Sequence, residues 1–556
     1  MDIDAVARRY CLQNAVQYNG VADPKSTMGK VMGENPELRA RAGEVMPALM
    51  KAAAAVNAMA PEEQRAALEA EAPELLEVKK REKLEGLKPL PGLDRLKGKP
   101  VLRFAPNPNG PLSLGHGRGV AIMSEYARMH GADIILRFDD TDPQVKPPLY
   151  DPDKGISAYD WIEEDYAWLA GMPATRTVRA SDRIETYYRY ANQLILKGGA
   201  YVCNCDAEEW REKKNAKQPC PHRGMAPDVH LGAFEDMCEG TTKQGEAVLR
   251  IKTDIEHKDP ALRDWTAFRI VADDAIHPRE AAGEIPHFTC WPLLDFESAV
   301  EDHLQGVTHI IRGKDLMDST RKQEFLYKHM GWDYPHTLYW GRVSIHEFGK
   351  FSTSAIRKGI EDGTYGGWDD PRLPTVRALK RRGYNAEAVR KFWVGLGLTE
   401  KDVAVSLENM DAEDAKAQDD AAPRFFFVPK PAAIEVDGIE GRVAKPLAYP
   451  SFPEKGSRTL TATRIVYAPG DELKEKIRLK DLGNVDFEED VGQFAGEEMD
   501  RGRAILQWLP TNQAAPIKVL RPRFLKDGEG EVTLEEITGF VEPAAIEAGG
   551  VVQFER

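Results

Sequence analysis

Residues 101 to 143 set out an order of elements that few folds accommodate. A short apolar run, Val101 to Ala105, reads as a buried strand and passes through a loop of proline, asparagine and glycine into a helical stretch. A second strand, Ala132 to Phe138, follows and ends in the acidic turn Asp139-Asp140-Thr141-Asp142-Pro143. Strand, helix, strand is the start of a parallel α/β sheet, because parallel neighbours need a crossover of this length.

Further apolar runs at Val307 to Arg312 and Thr337 to Ile345, separated by the helical stretch Ser319 to Met330, predict more strands of the same sheet. The sheet domain therefore comes in two halves, 96–173 and 291–365, with 174–290 inserted between them. Residues 1–95 are rich in Ala, Glu, Leu, Lys and Arg, with helical spacing over Leu38 to Met59 and Pro61 to Leu84, and predict a helical N-terminal extension. Leu87 to Pro100 holds three prolines and two glycines and reads as a linker. Helical patterning returns over Arg372 to Leu398 within a connecting domain, 366–422, whose acidic end, Asp411 to Ala422, reads as a boundary. From 423 to 556, short β-rich runs recur between Gly/Pro turns: Arg424 to Val428, Thr459 to Tyr467, Ala504 to Leu509, Lys518 to Leu520 and Val551 to Phe554. They predict an all-β region, sandwich or barrel.

A chain of 556 residues exceeds what one core supports, so several units are expected. Its 42% hydrophobic and 30% charged residues are ordinary for a soluble protein, and no apolar run approaches the ~20 residues that span a bilayer. The start, MDIDAVARRYCLQNAV, lacks a secretory pattern, so a cytoplasmic location without membrane contact is expected. The net charge of −15 argues against indiscriminate nucleic-acid binding and leaves a local basic track open. Six cysteines are too few for a disulfide scaffold. Cys203, Cys205, Cys220 and His222, spaced C-x-C-x14-C-x-H, offer soft ligands in two close pairs and suit a closed, structural zinc site. The alternative is two incidental pairs in a reduced protein.

Gly115 and His116 stand where the loop after the first strand enters its helix. Free amide groups, the helix dipole, a glycine that permits close approach and an imidazole donor together suit a phosphate. Taken bare, the string LGHGRG is equally compatible with a tight turn entering a core helix.

The full run RFAPNPNGPLSLGHGR, Arg103 to Arg118, followed by ILRFDDTDP, Ile135 to Pro143, resembles the "HIGH" signature of class I aminoacyl-tRNA synthetases in its glutamyl and glutaminyl branch. KFSTS, Lys350 to Ser354, resembles the second signature, KMSKS, with a solvent-facing basic loop as the alternative. Gly367 to Trp393 resembles the helical region of archaeal and eukaryotic-type members. The resemblance implies a Rossmann-like multidomain α/β fold, with an inserted acceptor-stem-binding domain and a twin-barrel anticodon-binding region at the C-terminus. It implies ATP-dependent activation of glutamate to glutamyl-adenylate and transfer to the 3′-terminal adenosine of tRNA(Glu), with tRNA(Gln) left open as a second acceptor. ATP with Mg2+ and a structural Zn2+ are the implied cofactors, and a monomer is expected.

Carried over residue by residue, the resemblance assigns catalysis to Ser113, Gly115, His116, Lys350, Ser352 and Ser354, and ATP binding to Pro106, Asn107, Gly115, His116 and Lys350. Glutamate falls to Arg103, Ala105, Asn107, Asp139 and Arg312. Arg312 stands where the glutaminyl branch places a small neutral residue, and an arginine fork matches a carboxylate; its structural alternative is pairing with Asp315. Leu294 replaces an aromatic hydroxyl usual in the branch. Arg377, Lys380, Arg381 and Arg382 form a basic edge for tRNA phosphates, or a merely solvated face. Two positions depart from the signatures, Ser113 for a histidine and Thr353 for a lysine. They keep two other readings in view, a glutaminyl-tRNA synthetase and an inactive tRNA-binding paralogue.

Overall fold

The computed structural model describes residues 2–18, 20–75, 86–348, 352–524 and 532–555, in two units, Met1–Glu85 and Gly86–Arg556. The first unit is built from the helices Ile3–Gln17, Pro24–Glu34, Ala42–Asn57 and Pro61–Glu71. The carboxylates of Asp2 and Asp23 accept first-turn amides of the first two, and prolines open the second and fourth, where a missing N–H costs nothing. Their apolar stripes close on Leu12, Leu49, Val56 and Leu68. The helix expected over Leu38 to Met59 starts only at Ala42, after a 3-10 turn at Pro36–Arg41. That expected from Pro61 to Leu84 runs to Glu71; residues 76–84 lie outside the described residues.

In the second unit five parallel strands lie side by side in the order His336–Trp340, His309–Gly313, Val101–Phe104, Asp133–Phe138, Arg176–Arg179. Chain order reverses between Val101–Phe104 and His309–Gly313. At such a switch point connections leave to opposite sides and open a crevice at the carboxyl ends of the strands. The helix Leu114–His130 packs against the helices Ala158–Ala170 and Ala386–Gly395. Gly117 permits this approach: a Cβ there would lie 3.3 Å from Leu169 Cδ2 and 3.6 Å from Trp393 Nε1.

Several boundaries differ from expectation. Arg176–Arg179 belongs to the parallel sheet as its outermost strand, not to the insertion. Three of the four residues of its RTVR sequence are polar because an edge strand meets water. The insertion folds around an antiparallel sheet, Ala200–Cys203, Val248–Ile251, Thr266–Ile270 and Cys290–Pro292. Its core continues into the following helices through Phe296, Val300, Leu326 and Tyr327, so insertion and second half share one apolar interior. Leu87 and Leu90, within the expected linker, are buried in the core of the parallel sheet. The acidic stretch read as a boundary is the body of the helix Leu407–Ala421, which buries Leu407, Met410 and Gln418 and turns most of its carboxylates outward, while Asp414 accepts the Asn385 amide at 2.6 Å.

Beyond it, Arg424–Pro429 joins a four-stranded sheet with the long hairpin Ala515–Arg523 and Thr533–Val541, and Pro431–Asp437 enters a seven-stranded one. The run Ala504 to Leu509 divides into Ala504–Leu506 and Leu509–Pro510, at opposite edges of that sheet. Among the described residues no helix is long and apolar enough to cross a membrane.

The expected strand Thr337 to Ile345 breaks at Gly341. His336–Trp340 ends the parallel sheet, and Val343–Ile345 pairs instead with Val403–Val405. The Gly341 amide donates to the Thr399 carbonyl at 2.7 Å, its own carbonyl accepts from the buried Arg118 at 3.0 Å, and a Cβ would collide with the Lys401 backbone. Because backbone cannot swing aside as a side chain does, Gly341→Ala is expected to cost roughly 3 kcal/mol, read as a lowered unfolding midpoint against the parent chain.

Candidate active site

A cavity of about 460 Å³ opens at the switch point, and its lining brings together Arg103, Ala105, Asn107, Asp139 and Arg312. The topology explains the convergence. Arg103 lies in the first strand and Ala105 and Asn107 just beyond it; Asp139 follows the second strand, and Arg312 comes near the end of the strand across the reversal. The same wall holds Leu294, singled out from the sequence, and also Asp142, Lys146, Arg269, Ser298 and Gln323, which the motifs did not select.

Beneath this lining lies a buried ion network. Arg137, fully buried, donates Nε to Asp139 Oδ1 at 2.8 Å, Nη1 to Asp302 Oδ1 at 2.7 Å and Nη2 to Ser298 Oγ at 2.7 Å. Glu297 stands 3.4 Å from the same Nε, and Arg103 Nε reaches Asp302 Oδ1 at 3.2 Å. Burial would raise the Asp302 carboxyl, but Arg103 and Arg137 hold it below the usual carboxylate range. Burial, with Asp139 nearby, carries Glu297 well above that range. Asp139 is raised by burial against the pull of Arg137. Of the charged groups on this lining, Arg269 is paired with Asp142, and Asp295 with Lys322; Arg103 and Arg312 facing Asp139 are a complement for a ligand with one ammonium and more than one carboxylate.

Arg312 is 5% exposed, and its Nη2 donates to Thr320 Oγ1 at 2.5 Å, Tyr334 Oη at 2.8 Å and Gln323 Oε1 at 3.1 Å. The bonded partners are neutral, and Asp315, the alternative from sequence, is not among them. Nε is buried without a hydrogen-bond partner. Thr320 and Gln323 share a face of the helix Met317–Met330, three positions apart, a polar pairing that in a sequence reads as solvated.

At the start of the helix Leu114–His130, Ser113 is the N-cap: its Oγ accepts the His116 amide at 3.3 Å, while His116 Nδ1 accepts the Ser113 amide at 3.3 Å. Ser113, assigned to catalysis by the resemblance, therefore has a local task first. With Nδ1 an acceptor, the neutral ring carries its proton on Nε2. One edge of His116 meets solvent and the ring stands 6.3 Å from that of Phe104, while the protein mass around the imidazole holds its pKa below the ordinary value. Gly115 is exposed beside it; neither residue lines the cavity.

Of the second signature, Lys350 lies outside the described residues. Ser352 caps the helix Thr353–Glu361, accepting from the Ala355 amide at 3.2 Å, and its Oγ lies 3.2 Å from Ser354 Oγ. Thr353 Cγ2 lies 3.0 Å from where a Cβ of Gly110 would stand, and Arg357 Nη2 donates to the Asn109 carbonyl at 2.9 Å. The described part of KFSTS thus rests on the loop of the first signature. In the insertion, Cys220 Sγ lies 3.5 Å from Cys203 Sγ, 3.4 Å from Cys205 Sγ and 3.1 Å from His222 Nδ1, and all four ligand atoms lie within 4.8 Å of one another. A tetrahedral zinc with Zn–S of about 2.3 Å spaces its sulfurs about 3.8 Å apart, so the donor set fits this ion.

Residues 100–419 match the family described as "tRNA synthetases class I (E and Q), catalytic domain", and residues 422–504 its "anti-codon binding domain". The chain belongs to this family. It is 45% identical to a glutamate–tRNA ligase of Methanosarcina mazei over 99% of this chain and 95% of that one. It is 45% identical to one of Methanothrix thermoacetophila over 100% and 96%. A crystal structure of a glutamate tRNA ligase from Elizabethkingia meningosepticum matches with a TM-score of 0.41 and 20% identity over 58% of this chain and 70% of that one.

The basic edge expected for tRNA in this class I chain is narrower than its sequence suggests. Lys380 and Arg381 are exposed, Arg381 within 3.3 Å of Asp369. Arg377 Nη1 donates to Glu164 Oε2 at 2.8 Å. Arg382 stacks on Phe524 at 5.0 Å, Tyr384 at 5.1 Å and Phe348 at 5.7 Å, and burial lowers its pKa. Charge pattern alone cannot distinguish a guanidinium held by aromatic faces from one offered to phosphates.

The network yields a test of stability. Asp302→Asn should cost roughly 3 kcal/mol at neutral pH, because Arg103 and Arg137 lose the charge they share. A carboxyl held below its unfolded value stabilises above that value and ceases to as the pH falls through the folded one. Thermal unfolding of parent and variant should therefore begin to converge as the pH falls below about 4 and meet only below the depressed folded value.

Proposed function

We propose that the chain is a glutamate–tRNA ligase, a reading carried by the single cavity that sets Asp139 against Arg103 and Arg312. Asp139 takes the α-ammonium of glutamate and Arg312 its side-chain carboxylate, with Arg103, Ala105 and Asn107 completing the seat. ATP, arriving with Mg2+ on its phosphates, lies along Pro106, Asn107, Gly115 and His116, whose Nε2–H donates to a phosphate oxygen. The α-carboxylate oxygen of glutamate forms a bond to the α-phosphorus, and the bond from that phosphorus to the pyrophosphate oxygen breaks. Lys350, Ser352 and Ser354 receive the departing pyrophosphate. A terminal ribose hydroxyl of tRNA then attacks the carbonyl carbon, loses its proton and releases AMP. No side chain acts as a nucleophile; alignment and stabilisation of the leaving charge supply the rate.

Glutamate is favoured over glutamine because Arg312 already has neutral hydrogen-bond partners and lacks a bonded carboxylate. Lys380 and Arg381 take phosphates of the acceptor arm, the residues beyond 423 read the anticodon, and Cys203, Cys205, Cys220 and His222 hold a closed zinc that shapes the insertion without entering the chemistry.

Charging of purified tRNA(Glu) and tRNA(Gln) with labelled glutamate and glutamine tests the reading: glutamate on tRNA(Glu) is expected, and a preference for glutamine would overturn it. Arg312→Met should lower kcat/KM for glutamate by about a hundredfold, the worth of a charge-assisted pair in a buried site. His116→Ala should slow adenylate formation in a single turnover far more than it weakens glutamate binding. Metal analysis of the purified chain should find about one zinc, lost when Cys203 and Cys220 are both changed to serine.

A further inference from the structure

Asp165 is a buried carboxylate to which the mechanism above gives no task. It sits on the helix Ala158–Ala170 and is 1% exposed. Its Oδ2 accepts the Leu112 amide at 3.3 Å, and its Oδ1 stands 3.7 Å from Arg377 Nη1. Leu112 immediately precedes the Ser113 cap. The Leu112 carbonyl accepts the Val376 amide at 2.8 Å, the Leu114 amide donates to the Pro374 carbonyl at 2.9 Å, and Ser113 bridges Thr375. The residues that aim His116 are thus held by the backbone of 374–376, with Asp165 as the side-chain anchor of Leu112.

We propose that Asp165 is a positioning residue for the first signature: its ionised carboxylate, balanced by Arg377, fixes Leu112, and through it the Ser113 cap and the direction of the His116 ring. The proposal rests on the reading of His116 as the ATP-facing donor. A charged acceptor holds an amide more tightly than a neutral one. Protonation of Asp165 both weakens that bond and releases Arg377, whose other carboxylate partner, Glu164, is largely in solvent.

The surroundings place this change in a usable range. Burial pushes Asp165 up to about 7 against the pull of Arg377 and the Leu112 amide; Glu164 adds to the rise and Lys380 opposes it. From the other helices packed on this one, Arg128 is bonded to the Ala170 carbonyl and Arg390 to the Leu169 carbonyl. A carboxyl raised in the folded state binds more protons there than in the unfolded chain. Its ionisation costs stability as the pH climbs from about 4 towards 7. A side chain kept for stability alone would serve better as the amide.

The test compares the full chain with Asp165→Asn and Asp165→Ala in pyrophosphate exchange with tRNA(Glu) present, across neutral pH, with thermal unfolding alongside. Parent kcat should fall on the acid side with a midpoint near 7, distinct from the lower limb of His116, while KM for glutamate stays level. Asp165→Asn should unfold no earlier than the parent above pH 7, lose about tenfold in kcat and lack the limb near 7. A variant with parent kcat and the same limb would overturn the proposal, as would a kcat loss matched by a fall in unfolding temperature. Should the parent itself give no exchange, the ligase reading fails and hydrogen exchange still decides. The peptide carrying Leu112 is expected to lose protection in Asp165→Ala, and unchanged protection overturns the anchoring role.

Discussion

The site depends on the placement of one guanidinium. Arg137 has no access to water, and its three nitrogens are spent on Asp139, Asp302 and Ser298. Asp139 ends one central strand; Asp302 and Ser298 belong to the helix Leu294–Leu304 after the insertion, and Asp302 also takes Arg103 from the neighbouring strand. Two strands and the helix are therefore fixed by charges that cannot move apart without stranding one another. Buried ion networks are poor sources of net stability, since desolvation consumes most of the attraction. What they secure is geometry, and a cavity whose arginines and carboxylate are already set loses little reorganisation when charge develops in it.

Both departures from the signatures find local reasons. A serine before a helix satisfies a first-turn amide, and Ser113 does this while its own amide fixes the His116 ring. A histidine there would need a different arrangement to cap as well. Thr353 opens a helix and lays its methyl over the loop at Gly110, so the position serves packing between the two signatures. Neither substitution removes the exposed groups proposed to meet phosphate, since Gly115 and His116 keep their place at the helix start.

The central strands and the residues at their ends were legible because an apolar run followed by an abrupt turn has few other meanings. The edge strand Arg176–Arg179 was not, since half its side chains face water and its mostly polar sequence, without alternation, resembles a loop. The insertion was recognisable as an interruption, yet its limits were hidden because Phe296 and Tyr327 complete its core from later helices. The acidic helix Leu407–Ala421 shows the opposite error, where composition outweighed the few buried positions that fix it. The setting of Arg382 was hidden for a further reason. The aromatic residues around Arg382 come from positions 348, 384 and 524, and no local pattern brings them together.

Arg312 shows most clearly what a motif cannot hold. Its match with the glutamyl branch gives a charge at the right place, but selectivity depends on what already satisfies that charge. A guanidinium with all its nitrogens spent on buried partners, as those of Arg137 are, would have little left to offer a ligand. Here the hydroxyls of Thr320 and Tyr334 and the amide oxygen of Gln323 orient the group, all on one nitrogen, without neutralising it. A bound carboxylate therefore gains a charge-assisted pair in a site shielded from water. A neutral amide leaves the cation desolvated and only weakly met, and the penalty for that mismatch exceeds the gain from any single neutral hydrogen bond. In the proposed reading, discrimination by charge at this position would come as much from the neutrality of the bonded partners as from the arginine itself.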